Sequence, residues 1–226
     1  MVVLVVLGGL GWLVGWSDAF AVQEVRVEAG GGEQADDETG DVVAADDVIE
    51  AADVAMGTPL IRLDTDGIAD RVADVPEVAD VVVHRSWPSA VTLEVTARTA
   101  VATVPDGEDT WWQVDADGVL FGVDTSRPEG LTVLRAELDD EAAPKRAAGV
   151  AVLGELSAEI VDRVREIHVE SPADIRLELD DDIEVRWGTA DDTPRKAAVL
   201  AALMAEQEDL PDVYDVSAPE APAVDP

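Results

Sequence analysis

Two parts of the sequence alternate strictly between apolar and polar residues, and this pattern constrains the fold more than any other feature. Residues 91–96 read Val-Thr-Leu-Glu-Val-Thr, and residues 175–179 and 183–187 alternate in the same way on either side of an Asp-Asp-Asp segment. Successive side chains of a β-strand point to opposite faces of its sheet, so this period of two predicts strands that bury one face. The chain must therefore be built around sheets rather than around helices alone.

The strand at residues 91–96 closes a series of elements in the order β-α-α-β-β. A helix is predicted where apolar residues recur at intervals of three and four, with a polar cap before it and glycine or proline after it. The predicted elements are a strand with Val22, Val25 and Val27; a helix capped by Asp46 or Asp47, with Val48, Ala51, Ala52 and Ala55 inward and Gly57 at its end; a helix capped by Asp64 or Asp66, with Ile68, Val72 and Val75 before Pro76; and a strand over Val78–Arg85 that the turn Ser86–Ser89 joins to its partner. Between the first strand and the first helix, the Gly-rich acidic segment Ala29–Asp41 predicts a flexible loop.

Beyond residue 99, short strands and two helices follow one another. Strands are predicted at residues 101–104, 111–114, 119–123, 164–169 and 213–216, in addition to the hairpin at 175–187. The helices begin at Pro144, with Ala147, Val150, Ala151 and Leu153 inward, and at Thr193-Pro194, with Ala197, Leu200, Ala201 and Met204 inward. Because helices and strands are mixed without a regular βαβ repeat, the predicted fold class is α+β, with a small β-α-α-β-β domain before a mixed β domain with two helices.

The 226 residues include 50 acidic and 15 basic ones, which gives a formal net charge of −35. A nucleic-acid-binding protein must neutralise phosphates, so this charge excludes that function. Repulsion of this size weakens when concentrated salt shortens the screening length to about 3 Å, and the composition therefore indicates a halophilic host. The preference for arginine over lysine fits a GC-rich genome.

The first seventeen residues, Met1–Ser17, contain no charged group. As a helix they span about 25 Å, close to the roughly 30 Å of a bilayer core, and residues 19–22 extend the span. We interpret residues 1–21 as a single transmembrane helix. The alternative is a cleaved signal peptide, because Ala19-Phe20-Ala21 has the small-x-small form of a cleavage site. No Lys or Arg precedes Arg26, so we expect the natural start to lie upstream, in a basic cytoplasmic tail.

No sequence motif predicts an enzyme active site. The chain contains no Gly-x-Ser-x-Gly, no Gly-rich loop ending in Gly-Lys-Ser/Thr and no cysteine. His84 and His168 fall in predicted strands and are interpreted as structural or surface groups. The spacing of Asp115-x-Asp117-Gly118 differs from that of a calcium loop and predicts a hairpin turn. We therefore predict no cofactor, no metal and no small-molecule substrate.

Several of these residues carry a resemblance to a known family. In order, they are Phe20 at the end of the apolar run, Val25-x-Val27 leading to Gly30, Val48-Ile49-x-Ala51-Ala52, Gly57-x-Pro59-Leu60, Val78-x-x-Val81-x-Val83 and Arg85-x-Trp87-Pro88. The chain resembles the FtsQ/DivIB family of bacterial cell-division proteins. The resemblance implies a POTRA domain over residues 22–98 and an FtsQ-type β domain over residues 99–217. The Pro- and Ala-rich residues 218–226 have no periodic pattern and predict a disordered tail. The resemblance also maps the family's glycine and lysine to Gly188 and Lys196, whereas Ala97-Arg98-Thr99-Ala100 keeps only the arginine of the family's Glu-Arg-x-Pro.

The resemblance also implies a function. A member of this family is a non-enzymatic, single-pass membrane protein with its bulk outside the cytoplasm, which helps to assemble the septal divisome upstream of septal peptidoglycan synthesis. Its implied partners are FtsB/DivIC-like and FtsL-like division proteins and, through residues 1–21, the lipid bilayer.

We expect the main partner site at the last predicted strand, Val213, Tyr214, Asp215 and Val216, because a terminal strand leaves one edge free for a partner strand. Two alternatives remain open from the residues alone. One is a POTRA-containing component of secretion or outer-membrane assembly. The other is an exported acidic hydrolase with a cleaved leader.

Overall fold

The computed structural model describes residues 20–30, 43–206 and 211–225. The chain divides into two compact units, Met1–Arg98 and Thr99–Pro226. Most of the predicted anchor and most of the acidic loop lie outside the described residues. In the part of the chain that is described, no helix is both long and apolar enough to cross a membrane.

The first unit is a three-stranded sheet with two helices. Its elements are β1 (Glu24–Ala29), α1 (Ala45–Ala52), a 3₁₀ turn (Leu60–Arg62), α2 (Thr65–Ala73), β2 (Val78–Ser86) and β3 (Ala90–Ala97). Strand β3 lies in the centre, parallel to β1 and antiparallel to β2. The β-α-α-β-β order expected for a POTRA domain is therefore confirmed.

The core of this unit forms where the apolar faces of both helices meet the sheet. Val48, Ile68 and Val72 are buried together with Val91 and Leu93, as the alternation of β3 predicts. Apolar area removed from water is the main stabilising contribution of such a core, at about 25 cal/mol per Å². The helices cover one face of the sheet, and alternate residues of β2 and β3 remain on the other face.

Helix α2 is capped as predicted, but α1 is not. The Asp64 side chain accepts a hydrogen bond from the Gly67 N–H at 3.1 Å. Helix α1 begins two or three residues earlier than expected, after Ala44, which places Asp46 and Asp47 in its first turn, where their negative charges interact favourably with the helix dipole. It ends at Ala52, so the predictions that Ala55 belongs to its inner face and that Gly57 ends it are wrong.

The second unit is built on a nine-stranded sheet in the order β12-β11-β10-β9-β8-β7-β4-β5-β6. Its strands are β4 (Ala102–Pro105), β5 (Trp111–Val114), β6 (Leu120–Asp124), β7 (Thr132–Arg135), β8 (Val164–Ser171), β9 (Asp174–Leu179), β10 (Glu184–Gly188), β11 (Val213–Asp215) and β12 (Ala223–Asp225). Its helices are α3 (Ala143–Glu155), α4 (Ala158–Val161) and α5 (Thr193–Glu206). The pairs β4/β7, β7/β8 and β10/β11 are parallel, and the other neighbours are antiparallel. The prediction that the second unit is a mixed β domain with helices is therefore confirmed.

Helices α3 and α5 bury the apolar face of this sheet, although not through all the residues that their spacing indicated. Leu153 and Leu200 are buried as expected, whereas Ala151 and Ala201 are exposed. Helix α3 lies close to the sheet at Gly149, where an added Cβ would lie 2.6 Å from Leu134 Cδ1. The helix is therefore rotated so that its glycine, rather than Ala151, faces the sheet.

Two strands of the second unit were not predicted. Strand β7 runs parallel between β4 and β8, and β12 follows β11. The prediction of an unpatterned, disordered tail over residues 218–226 is wrong for Ala223–Asp225, which pair with β11 in antiparallel register. With three residues, β12 is too short to show an alternating pattern, and backbone hydrogen bonds rather than burial define it.

Candidate functional site

The terminal strands of the large sheet form the candidate site. Strand β11 pairs with β10 on one side, where Val185 lies opposite Tyr214, and with β12 on the other, where Val224 lies opposite Tyr214. The expectation that Val213–Val216 form the last strand, with one edge free, is therefore wrong. Strand β12 occupies that edge and is itself the end of the sheet.

The hydrogen bonds of β11 show which groups face which neighbour. The Glu184 N–H donates to the Asp212 carbonyl at 2.9 Å, and the Val216 N–H donates to the Arg186 carbonyl at 3.0 Å. Because backbone directions alternate along a strand, the Tyr214 N–H also faces β10, whereas those of Val213 and Asp215 face β12. In the antiparallel pair with β11, the N–H and C=O of Val224 then point away from the sheet.

Strand β11 is held rigidly by its side chains. Tyr214 and Val216 are buried in the core of the second unit beside Trp187, and burial raises the pKa of the Tyr214 hydroxyl. The Asp215 carboxylate accepts hydrogen bonds from the Ser217 N–H at 3.0 Å and from the Ser217 hydroxyl at 2.6 Å, which ends the strand. Strand β12 is thus attached to a fixed neighbour.

Gly188 and Lys196 shape the turn that follows β10. Gly188 has a φ of +76° and lies at a shift in register between β9 and β10; an added Cβ would meet Ser217 Cβ at 3.1 Å. The buried Lys196 ammonium donates to the Trp187 and Thr189 carbonyls at 3.1 and 2.7 Å, and burial lowers its pKa. Both residues support the chain next to β11.

The sheet face opposite the helices carries ion pairs. Arg186 pairs with Glu184, and Arg176 pairs with Asp174, each at 2.8 Å, beside a shallow depression that Asp215 also lines. The arginines of this face are thus already paired with carboxylates, so they are less available to bind an anion.

One cluster on the same face has the composition of a metal site. Ligating atoms of Glu166, His168 and Glu178 lie within 4.8 Å of one another. However, Arg135 already binds both oxygens of Glu166, at 2.8 Å each, and lowers the pKa of that carboxyl. His168 stands 3.5 and 3.6 Å from the two carboxylates, and His84 of the first unit stands 3.2 Å from Glu94. Both histidines thus lie on the surface beside carboxylates, as their strand positions suggested.

The motif residues of the first unit meet at one end of its sheet. Arg85 donates to the Leu60 carbonyl at 2.9 Å and to the Leu63 carbonyl at 2.7 Å, which fastens the 3₁₀ turn to β2. Gly57 has a φ of +81°, a conformation that favours glycine, and Pro59 forms an isolated bridge with Ala21. Trp87 is exposed in the turn before β3, and its peptide bond with Pro88 is cis.

One important structural residue was missed from the sequence. Arg146 in α3 is 2% exposed and donates to the carbonyls of Gly118, Glu137 and Asp139 at 2.7–2.9 Å. Burial lowers the pKa of its guanidinium. The one sequence signal for its burial was its position on the inner face of α3, in line with Val150 and Leu153. The turn that it holds is the predicted hairpin turn, in which Asp115 accepts from the N–H groups of Asp117 and Val119.

Comparisons with known proteins agree across both units. Residues 41–98 match the FtsQ-type POTRA domain, and residues 102–217 match the C-terminal domain of cell division protein FtsQ/DivIB. A cell division protein FtsQ of Mycobacterium tuberculosis is 35% identical over 224 residues, which cover 99% of this chain and 67% of that protein. The cell division protein FtsQ of Streptomyces griseus is 36% identical over 192 residues, 81% of this chain and 91% of that protein.

Among solved structures, the major extracytoplasmic domain of the cell division protein DivIB from Geobacillus stearothermophilus is similar at a TM-score of 0.35 and 23% identity. That similarity covers 49% of this chain and 98% of the DivIB domain.

Proposed function

Because the chain belongs to the FtsQ/DivIB family and is thus a non-enzymatic divisome protein, we propose that it is a single-pass membrane protein that gathers division proteins outside the cytoplasm. Residues 1–21 anchor it, the amino end lies in the cytoplasm, and both units lie on the other side. Its partners are FtsB/DivIC-like and FtsL-like proteins, and it acts upstream of septal peptidoglycan synthesis. The family assignment decides against the exported hydrolase and the secretion component.

The observation that supports partner binding most strongly is the end of the large sheet. Strand β12 pairs with β11 through one edge only, and the N–H and C=O of Val224 face outward. An extended segment of a partner can continue the sheet there, with main-chain hydrogen bonds supplying affinity. Pro222 and Pro226 flank the strand and lack N–H groups, so they limit indiscriminate pairing along this edge.

The residues Val213, Tyr214, Asp215 and Val216 then have a supporting role. They hold β12 in register against a buried neighbour, and the partner strand adds beyond β12. In the competing arrangement, the partner displaces β12 and pairs with β11 directly. The first arrangement needs the Val224 N–H, whereas the second needs the Asp215 N–H.

Membrane attachment and septal location are tested in cells. A fluorescent fusion of the full chain, expressed in a strain depleted of its own copy, should collect at the division site, restore division and sediment with membranes. Recovery of a soluble form whose first residue is Val22 would show that Ala19-Phe20-Ala21 is a cleavage site and would overturn the anchor. Uniform fluorescence around the cell, with normal division after depletion, would contradict the division role of this chain.

A further inference from the structure

Exposed apolar side chains are concentrated where the first unit begins. Ile61 is 60% exposed, Met56 58% and Trp87 53%, the highest values among the large exposed hydrophobic residues of the described chain. Phe20, the first described residue, stacks edge-on against Trp87 with ring centroids 5.8 Å apart. We call Phe20, Met56, Ile61 and Trp87 the apolar rim.

Backbone hydrogen bonds bring the three separate segments of the rim together. The Gly57 N–H donates to the Val22 carbonyl at 2.8 Å, and the Val22 N–H donates to the Thr58 carbonyl at 2.9 Å. On the other side, the Gln23 N–H donates to the Ser89 carbonyl at 2.8 Å. The segment that starts at Phe20 therefore lies between the loop that carries Met56 and the turn that carries Trp87.

The turn that carries Ile61 is fixed by hydrogen bonds, so the exposure of this side chain does not result from a loosely packed backbone. The Arg85 guanidinium binds the carbonyls of Leu60 and Leu63 on either side of Ile61, while Leu60 and Leu63 are buried below. Ile61 is thus directed outward from a turn whose other apolar residues face the core. Exposed apolar residues that are grouped and rigidly presented mark a contact surface.

The sequence next to the rim indicates what covers it. The uncharged run Met1–Ser17 ends three residues before Phe20, so a bilayer that holds this run must lie close to the rim. Tryptophan and phenylalanine favour the boundary between lipid headgroups and acyl chains. With a net charge of −35, the chain gains little from attraction to anionic lipid, so the contact relies on apolar side chains.

We propose that the apolar rim rests in the interface of a phospholipid bilayer and sets the orientation of the first unit on the membrane. This inference rests on the proposed anchoring by residues 1–21. The contact is apolar and therefore persists in concentrated salt, unlike binding through basic patches.

The absence of cysteine from the chain allows single labels to be placed. Full-chain Ile61→Cys and Met56→Cys variants carry an environment-sensitive fluorophore and are reconstituted in phosphatidylcholine vesicles with or without brominated acyl chains, which quench by contact. Glu77→Cys is the matched control, since Glu77 is exposed next to the opposite end of β2, about 26 Å away for nine residues of strand. A Leu10→Cys variant reports separately on the anchor.

We expect brominated lipid to quench the labels at Ile61 and Met56 at least twofold more than the label at Glu77, with the same result in concentrated salt. If Leu10 is quenched but both rim labels match Glu77, the rim proposal is overturned and the anchor stands. Rim labels that are shielded from water but not quenched would mean that the leader covers the rim, which also overturns the proposal. If none of the labels is quenched, anchoring fails and the rim contact fails with it.

Discussion

Single cations bonded to backbone carbonyls hold the turns of both units. Arg85 ties the 3₁₀ turn to β2, Arg146 ties the turn at Gly118 to α3, and Lys196 closes the turn after β10. Arg146 and Lys196 are buried, and burial lowers both pKa values because the charged form loses hydration. Composition and charge place such residues on the surface, so sequence patterns did not reveal Arg146, and only the resemblance singled out Lys196.

Because Arg135 and Glu166 form an ion pair, we expect their contribution to the free energy of unfolding to depend on pH. Arg135 lowers the pKa of Glu166 in the folded chain, so the pair stabilises the fold above the ordinary glutamate value of 4.5 and loses this effect as pH falls through the folded value. We expect Arg135→Ala to cost about 1 kcal/mol in the free energy of unfolding at pH 7, measured by urea denaturation. The difference from the natural chain should shrink below pH 4.5.

The exposed Arg195 on α5 provides the control for this pair. Arg195→Ala should change stability by less and show no matching decline of the difference in acid. A cost of Arg135→Ala that stays constant from pH 7 to the acid range would contradict the ion-pair explanation.

Strands with a long alternating pattern of apolar and polar residues were predicted correctly from the sequence, whereas two short strands without such a pattern were missed. The hairpin of β9 and β10 and the central strand β3 alternate over five or more residues. Their buried apolar residues follow that alternation, although Thr92 of β3 is buried as well. Strand β7 has Thr132, Val133 and Leu134 all buried, so its burial pattern shows no alternation. Strand β12 has three residues. Its existence depends on pairing with β11, which residue types do not encode.

The hairpin turn between β5 and β6 must be tightly packed against α3. Gly118 has a φ of +80°, and an added Cβ would lie 2.4 Å from the Ala147 nitrogen. We expect Gly118→Ala to destabilise the chain by about 3 kcal/mol, from backbone strain and overpacking combined. Gly107 has nearly the same φ, +82°, but open space around it. Gly107→Ala should therefore cost only about 1 kcal/mol. Equal losses for the two variants in thermal or urea unfolding would show that α3 does not constrain the turn.

At the scale of the whole molecule, charge is the dominant property. With 50 acidic and 15 basic residues, repulsion opposes compaction unless ions screen it. The described ion pairs consist largely of exposed partners, which contribute little individually. Stability should therefore depend on salt more than on any one pair.

We expect the region from about Val22 onward to be folded in salt of about 1 M and to loosen in dilute buffer, where the screening length exceeds about 10 Å. Circular dichroism of the full chain in detergent across a salt series measures this, with the Tm as readout. A Tm that does not change with salt would contradict the halophilic interpretation of the composition.

The proposed capture of a partner at the end of the large sheet is tested most directly with proline variants of the full chain and an FtsB-like protein of the same organism, the partner proposed above. Val224→Pro removes the outward N–H of β12 and should fold normally while losing capture by about tenfold, whereas Val224→Thr keeps that N–H and should capture normally. Tyr214→Pro removes an N–H that faces β10 and should unfold the second unit. Loss of capture by Asp215→Pro but not by Val224→Pro would mean that the partner displaces β12. If Val224→Pro and Asp215→Pro both fold and capture the partner as the natural chain does, the partner site is not at these strands.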